Sequence, residues 1–161
     1  QRLLSTAMNF PSEAFLRRAI AFVAAIGVGV ATYITIAESG GGAAACVAGG
    51  HGCATVAESK YSELAGINVS IFGIVGYVLI LGTAFFVSDW ARLGGFALAL
   101  GGFGFSVYLT YLEIWEIEAI CQWCVASAVL MTILFVFSAT RLIGYAGSDA
   151  APSGAEQLQQ N

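Results

Sequence analysis

Four stretches of this chain carry no charged residue: Ala19 to Ala37, Leu64 to Ser88, Leu93 to Leu112 and Ala119 to Thr140. Each is close to the ~20 residues with which a helix crosses a ~30 Å hydrocarbon layer. A buried helix of a soluble core would not recur four times at this length, and a membrane barrel would alternate apolar and polar residues. Composition agrees: charged residues are 10% of the chain and the mean hydropathy is +0.83, whereas soluble domains carry about 25% charge. The expected fold is an all-α membrane protein, a four-transmembrane-helix bundle over residues 18–143. Its spans fall near 18–37, 67–88, 92–113 and 121–141, with a loop over 38–66 between the first two.

Residues 1–17 read as a short polar lead. Within it Ser12, after Pro11 and before Glu13, is a candidate helix start. The first apolar run is followed by no small-residue cleavage pattern, so it is expected to remain as a helix. In the loop, Glu58 to Ala65 has the length and propensity of a short interfacial lid helix that Gly66 can end. Ala25 and Gly29, Gly73 and Gly76, and Ala97 and Gly101 are expected to let the helices pack closely. From Gly144 to Asn161 the chain is rich in Gly, Ala, Ser and Gln and reads as a flexible tail or linker.

Arginines set the orientation. Arg2, Arg17 and Arg18 precede the first span, Arg92 lies between the second and third, and Arg141 follows the fourth. By the positive-inside rule that end is cytoplasmic, giving a multi-pass protein of the cell inner membrane with both termini inside. All four cysteines, Cys46, Cys53, Cys121 and Cys124, then share the extracytoplasmic side. Thiols can be held oxidised there, and an even number of them is expected to pair. The net charge of -4 gives no nucleic-acid footprint.

The chemistry rests on the cysteines. Cys46 and Cys53 stand in a loop flanked by Gly40-Gly41-Gly42 and Gly49-Gly50, while Cys121-Gln122-Trp123-Cys124 opens the fourth apolar run. A first thiol at a helix start faces the positive end of the helix dipole, which favours the thiolate that attacks disulfides. A static staple would close a very small loop and gain little. A zinc site built from Cys46, His51, Cys53 and the Cys121/Cys124 pair does not have a usual zinc spacing, so no metal is expected. His51 reads as an exposed loop residue.

Further residues join these in a recognisable order. Thr32-Tyr33 lie late in the first span, the loop cysteine pair follows, and Ser59 stands six residues after Cys53. Then come Gly66-Ile67, Ser70-Ile71-Phe72-Gly73, Gly76-Tyr77, Tyr108-Leu109-Thr110-Tyr111-Leu112 and the Cys-x-x-Cys. From about Arg17 to Arg141 this ordered set resembles the bacterial four-helix form of the vitamin K epoxide reductase family. The loop pair is spaced slightly wider than in some relatives, and Asn68 stands where many bacterial members have proline.

The resemblance implies an enzyme, a disulfide-forming quinone reductase that oxidises a thioredoxin-like partner, either a separate protein or a fused domain. Cys46 would receive the partner's attack, and Cys53 would relay electrons through a transient Cys53–Cys121 disulfide. Cys124, released as a thiolate, would face a quinone of ubiquinone or menaquinone type. Ser59 is the implied neighbour of the ring, with helix N-cap as its alternative. Phe72, Tyr111 and Trp123 are candidate lining residues, with packing or an interfacial belt as theirs. Two other readings compete: the bacterial disulfide-bond quinone oxidoreductases, also four helices with two cysteine pairs, and thiol-based metal-ion carriers. In the former the Cys-x-x-Cys precedes the spaced pair, whereas here it follows. The latter need cysteines on the cytoplasmic path, where none is expected.

Overall fold

Ser12 opens the first helix in the computed structural model of the chain, which describes residues 11–46, 51–64 and 66–149. Its hydroxyl accepts the Phe15 N–H at 3.3 Å, an N-cap at the expected position. Helix α1 then runs Glu13–Ser39. After the cysteine-bearing loop come the short helix α2, Gly52–Ala57, and two paired strands, β1, Glu63–Leu64, and β2, Ile67–Asn68. Three further helices complete the order: α3, Val69–Phe85, α4, Asp89–Trp115, and α5, Gln122–Asp149.

Helices α1, α4 and α5 are long and apolar enough to cross a membrane, and α3 is a shorter apolar helix of 17 residues. At 1.5 Å per residue α3 spans only about 26 Å. Apolar residues outside it, Ile67 before and Phe86 and Val87 after, extend the second window to its predicted length. The outer faces stay apolar: Phe22 is 70% and Trp90 84% exposed. In water such surface would be a liability, and in lipid it is the solvent-matched side.

Helix α1 packs on α3 and α5, and α4 on the same two, so the four long helices form a ring. Ile20, Ala24, Tyr77, Ile80, Ala99 and Leu134 are among the buried residues at its centre. Glycines allow close approaches between the long helices. Gly27 has the Tyr77 ring where a Cβ would stand, and Gly102 has the Met131 thioether there. These are not the small residues singled out by pattern. Gly29, Gly76 and Gly101 have open space at that position, and Gly76, Ala97 and Gly101 line an internal cavity instead of a helix contact. Only Gly73, against Ala31, packs as expected.

At the end where α1 begins, arginines knot the helices together. Arg92 pairs with Glu13 at 2.9 Å and Asp89 at 2.7 Å, and Arg141 reaches Glu13 at 3.2 Å. Arg17 donates to the Ala84 and Phe85 carbonyls, and Arg141 to those of Thr83 and Phe86. The last carbonyls of a helix have no partner within it. Arginines from α1 and α5 satisfy those of α3, which has no Gly cap of its own.

Two boundaries differ from the sequence reading. The short helix lies at Gly52–Ala57, not at 58–65, where the described residues form turns and β1. Gly66 has φ +78°, and Glu63 pairs with Asn68, so the glycine turns a hairpin rather than ending a helix. Helix α5 also continues to Asp149, through residues expected to be tail. The remainder of that tail, residues 1–10, and Gly49-Gly50 lie outside the described residues.

Candidate functional site

The loop cysteines form a disulfide, Cys46–Cys53, with Cα atoms 6.0 Å apart. Two aromatic residues hold its first arm. Tyr33 of α1 accepts the Ala45 N–H at 3.2 Å, and the Trp123 indole of α5 donates to the Ala45 carbonyl at 2.9 Å. Their rings meet at 5.0 Å. The second arm is held by close approach, because Gly52, the first residue of α2, lies against the Ile120 backbone where no Cβ would fit. Cys53 follows Gly52, and Cys121 follows Ile120. The buried Cys53 is thereby brought to the residue that opens α5.

Cys121 and Cys124 are free thiols. The Cys121 carbonyl accepts the Val125 N–H at 3.0 Å, so Cys121 stands just before the first turn of α5 with that turn's N–H groups facing it. The neighbouring Cys124 thiol, and after it the Cys124 and Trp123 N–H groups, hold its thiol below the usual thiol range, against the opposing effect of burial. The Cys121 N–H donates at 3.1 Å to the buried carboxyl of Glu113, in the last turns of α4.

Cys124 opens on a cavity of about 420 Å³ between the helices. Ile34, Phe72, Leu98, Leu109 and Met131 make its apolar walls, and Ser59, Asn68, Ser70, Glu38 and Glu113 its polar ones. Ser59 does not cap a helix N-terminus; its hydroxyl donates to the Val56 carbonyl at 2.7 Å, past the end of α2. Asn68 caps α3 by accepting the Ser70 N–H at 2.9 Å and donates its amide to Glu38. A hydrogen-bonded Asn therefore joins the hairpin to α1 and α3 at the position where many relatives have proline. The space is partly enclosed and mostly apolar, with a polar side and a thiol on its wall, as small-molecule sites commonly are.

The six predicted residues other than Tyr111 and Trp123 are the two cysteine pairs, Ser59 and Phe72, and of these Cys124, Ser59 and Phe72 line the cavity. Tyr111 and Trp123 do not. Tyr111 stacks on Trp115 at 5.0 Å along a separate outer groove, and Trp123 holds the loop. His51 is exposed. Among the described residues no group of three His, Cys, Asp or Glu could hold a metal. Sequence reasoning missed Glu113 and Tyr77, which is fully buried under the cavity with its hydroxyl on the Ser127 carbonyl at 2.9 Å. A lone Glu near the end of an apolar window was the available signal for the first.

Residues 18–139 match the family model of the vitamin K epoxide reductase family. With that match covering most of the chain, and with one cysteine pair joined as a disulfide and the other free, the chain belongs to the vitamin K epoxide reductase family of membrane thiol–disulfide oxidoreductases.

Proposed function

We propose that the protein is a thiol:quinone oxidoreductase that takes electrons from a thioredoxin-like partner and supports disulfide formation in that partner's substrates. All four long helices cross the inner membrane, with the arginine knot in the cytoplasm and the cysteines outside. The observation that carries this reading is the position of Cys124, on the wall of an apolar cavity and three residues from a thiol poised as thiolate. Electrons enter at Cys46. The partner's first thiolate attacks Cys46 and displaces Cys53, which then attacks Cys121 of an oxidised Cys121–Cys124 pair; the partner's second thiolate frees Cys46 as the partner's own disulfide closes, and Cys46 then attacks Cys53, re-forming the loop disulfide and leaving the Cys121/Cys124 dithiol. The arrangement in the structure, a loop disulfide beside a reduced Cys-x-x-Cys, corresponds to the stage just after that transfer.

From the reduced pair, electrons pass to a quinone of ubiquinone or menaquinone type in the cavity. Phe72 and its apolar neighbours would flank the ring, and Ser59 stands on the polar wall as a donor to an oxygen that gains negative charge. The test is quinone reduction by the purified protein, driven by dithiothreitol or a reduced thioredoxin-like protein. Parent protein should turn over with either, and Cys124→Ala with neither. Activity retained by Cys124→Ala would remove Cys124 from the electron path.

A further inference from the structure

Joining two thiols releases protons as well as electrons, and a partly enclosed apolar cavity offers water few routes to carry them. One carboxyl stands between the thiol pair and the cavity. Glu113 is 4% exposed and lines the same wall as Cys124. Its Oε2 accepts the Cys121 N–H at 3.1 Å, and its side chain and the Cys124 thiol line the same cavity. The Ala119 N–H closes on the Glu113 carbonyl at 3.1 Å, so the turn before Cys121 folds back over the carboxyl and fixes it. Among the described residues the ion pairs involve only Glu13 and Asp89, none of them Glu113. Burying an acid without a cation is costly. If the N–H of Cys121 were all it served, a glutamine would accept that bond without the cost.

We propose that Glu113 is the proton carrier of the Cys121/Cys124 pair, taking the Cys124 thiol proton as the two sulfurs join and passing it into the cavity to the oxygen being reduced. This assignment rests on the thiol:quinone reading above. The Cys121 thiolate attacks the Cys124 sulfur, the S–S bond forms, and the electron pair leaves Cys124 for the ring. Glu113 holds the Cys124 proton and delivers it to one ring oxygen. Water at the cavity mouth supplies the proton for the other oxygen, replacing the one Cys121 released to solvent on becoming a thiolate. The dithiol is oxidised to a disulfide and the quinone reduced to a quinol, with two electrons and two protons transferred. Other titratable groups facing the cavity are Glu38 of α1, Tyr61 of the loop and Tyr77 of α3. Only Glu113 also bonds the cysteine pair.

Glu113→Gln and Glu113→Asp test the assignment in the full chain, pre-reduced and mixed with a soluble short-tail quinone in a stopped-flow instrument. The Gln variant keeps an acceptor for the Cys121 N–H and should be slowed about 10²-fold at neutral pH, in the range general acid–base catalysis supplies. Its deficit should shrink as pH rises and hydroxide takes the Cys124 proton directly. Asp should recover part of the rate. A readout without quinone is the infrared difference between dithiol and disulfide forms. It should contain a protonated-carboxyl band that Gln removes and Asp shifts, and Asp provides this comparison should Gln fail to fold. An unchanged rate in Gln, a deficit equal at every pH, or the absence of that band in parent protein would each overturn the proton role. A parent that reduces no quinone while still exchanging its thiols would overturn the quinone reading itself.

Discussion

Cys121 and Cys124 have different surroundings although three residues separate them. Cys121 stands where the N–H groups of the first turn of α5 converge, and the Cys124 thiol donates to it. The stabilised thiolate is the nucleophile of the pair, and Cys124 is the sulfur on the cavity wall. With the loop pair held as a disulfide, only these two thiols contribute to ultraviolet thiolate absorbance, which should rise with a midpoint at a pH below that of an ordinary thiol. Because the Cys124 hydrogen bond is the largest cause of the lowering, Cys124→Ala should move that midpoint up by one unit or more, on the order of a lost charge-assisted hydrogen bond. A midpoint unmoved by the substitution would assign the thiolate to the backbone alone. The helix-start thiol was legible in the sequence because Cys-x-x-Cys directly precedes an apolar run. Glu113 was not, since its bond to Cys121 depends on how residues 116–120 turn back, with Glu118 at φ 53°, and no short-range pattern announces that turn.

The loop is held to the bundle by small contacts at each arm. Tyr33 and Trp123 fix both backbone groups of Ala45, and Gly52 rests on Ile120. Gly52→Ala would place a methyl group into the Ile120 carbonyl and lift α2 from the start of α5. Exchange between Cys53 and Cys121 should slow at least tenfold, because misplacing a reacting group by ~1 Å can cost 10²-fold. Dithiothreitol acting directly on Cys121–Cys124 should still drive quinone reduction at the parent rate. Equal loss with thioredoxin-like protein and dithiothreitol would mean that the loop pair is no shuttle. A short helix in the loop was expected, at residues 58–65. Helix propensity favoured residues 58–65, but Gly66 at positive φ and the Glu63–Asn68 pairing drew that segment into a hairpin, and the helix formed earlier, at Gly52–Ala57.

Across the whole molecule, cations and thiols occupy opposite ends. Arg17, Arg92 and Arg141 meet where α1 and α4 begin and α3 and α5 end, while the cysteines meet at the other end of α1 and α5. Three of the four charge-free windows became helices long and apolar enough to cross a membrane and the second became the shorter α3, legible because helix length and membrane thickness share one scale. The cavity was less legible: the Gly and Ala positions that looked like helix contacts, Gly76, Ala97 and Gly101, leave the space that Cys124 faces. With the arginine end in the cytoplasm, a membrane-impermeant maleimide should label the more accessible Cys46 in intact, reduced cells, and labelling of Cys46 only after lysis would reverse the orientation. The central claim is that electrons cross from the loop pair to the Cys-x-x-Cys by a direct Cys53–Cys121 bond. Its most direct measurement is non-reducing peptide mapping of Cys124→Ser, in which the Cys121 thiolate can attack Cys53 and no Cys124 thiolate remains to reclaim Cys121, so that only Cys46 can reverse the exchange. The expected result is an accumulated Cys53–Cys121 bridge with Cys46 free, and a Cys46–Cys53 bridge alone, with Cys121 free, would contradict the relay.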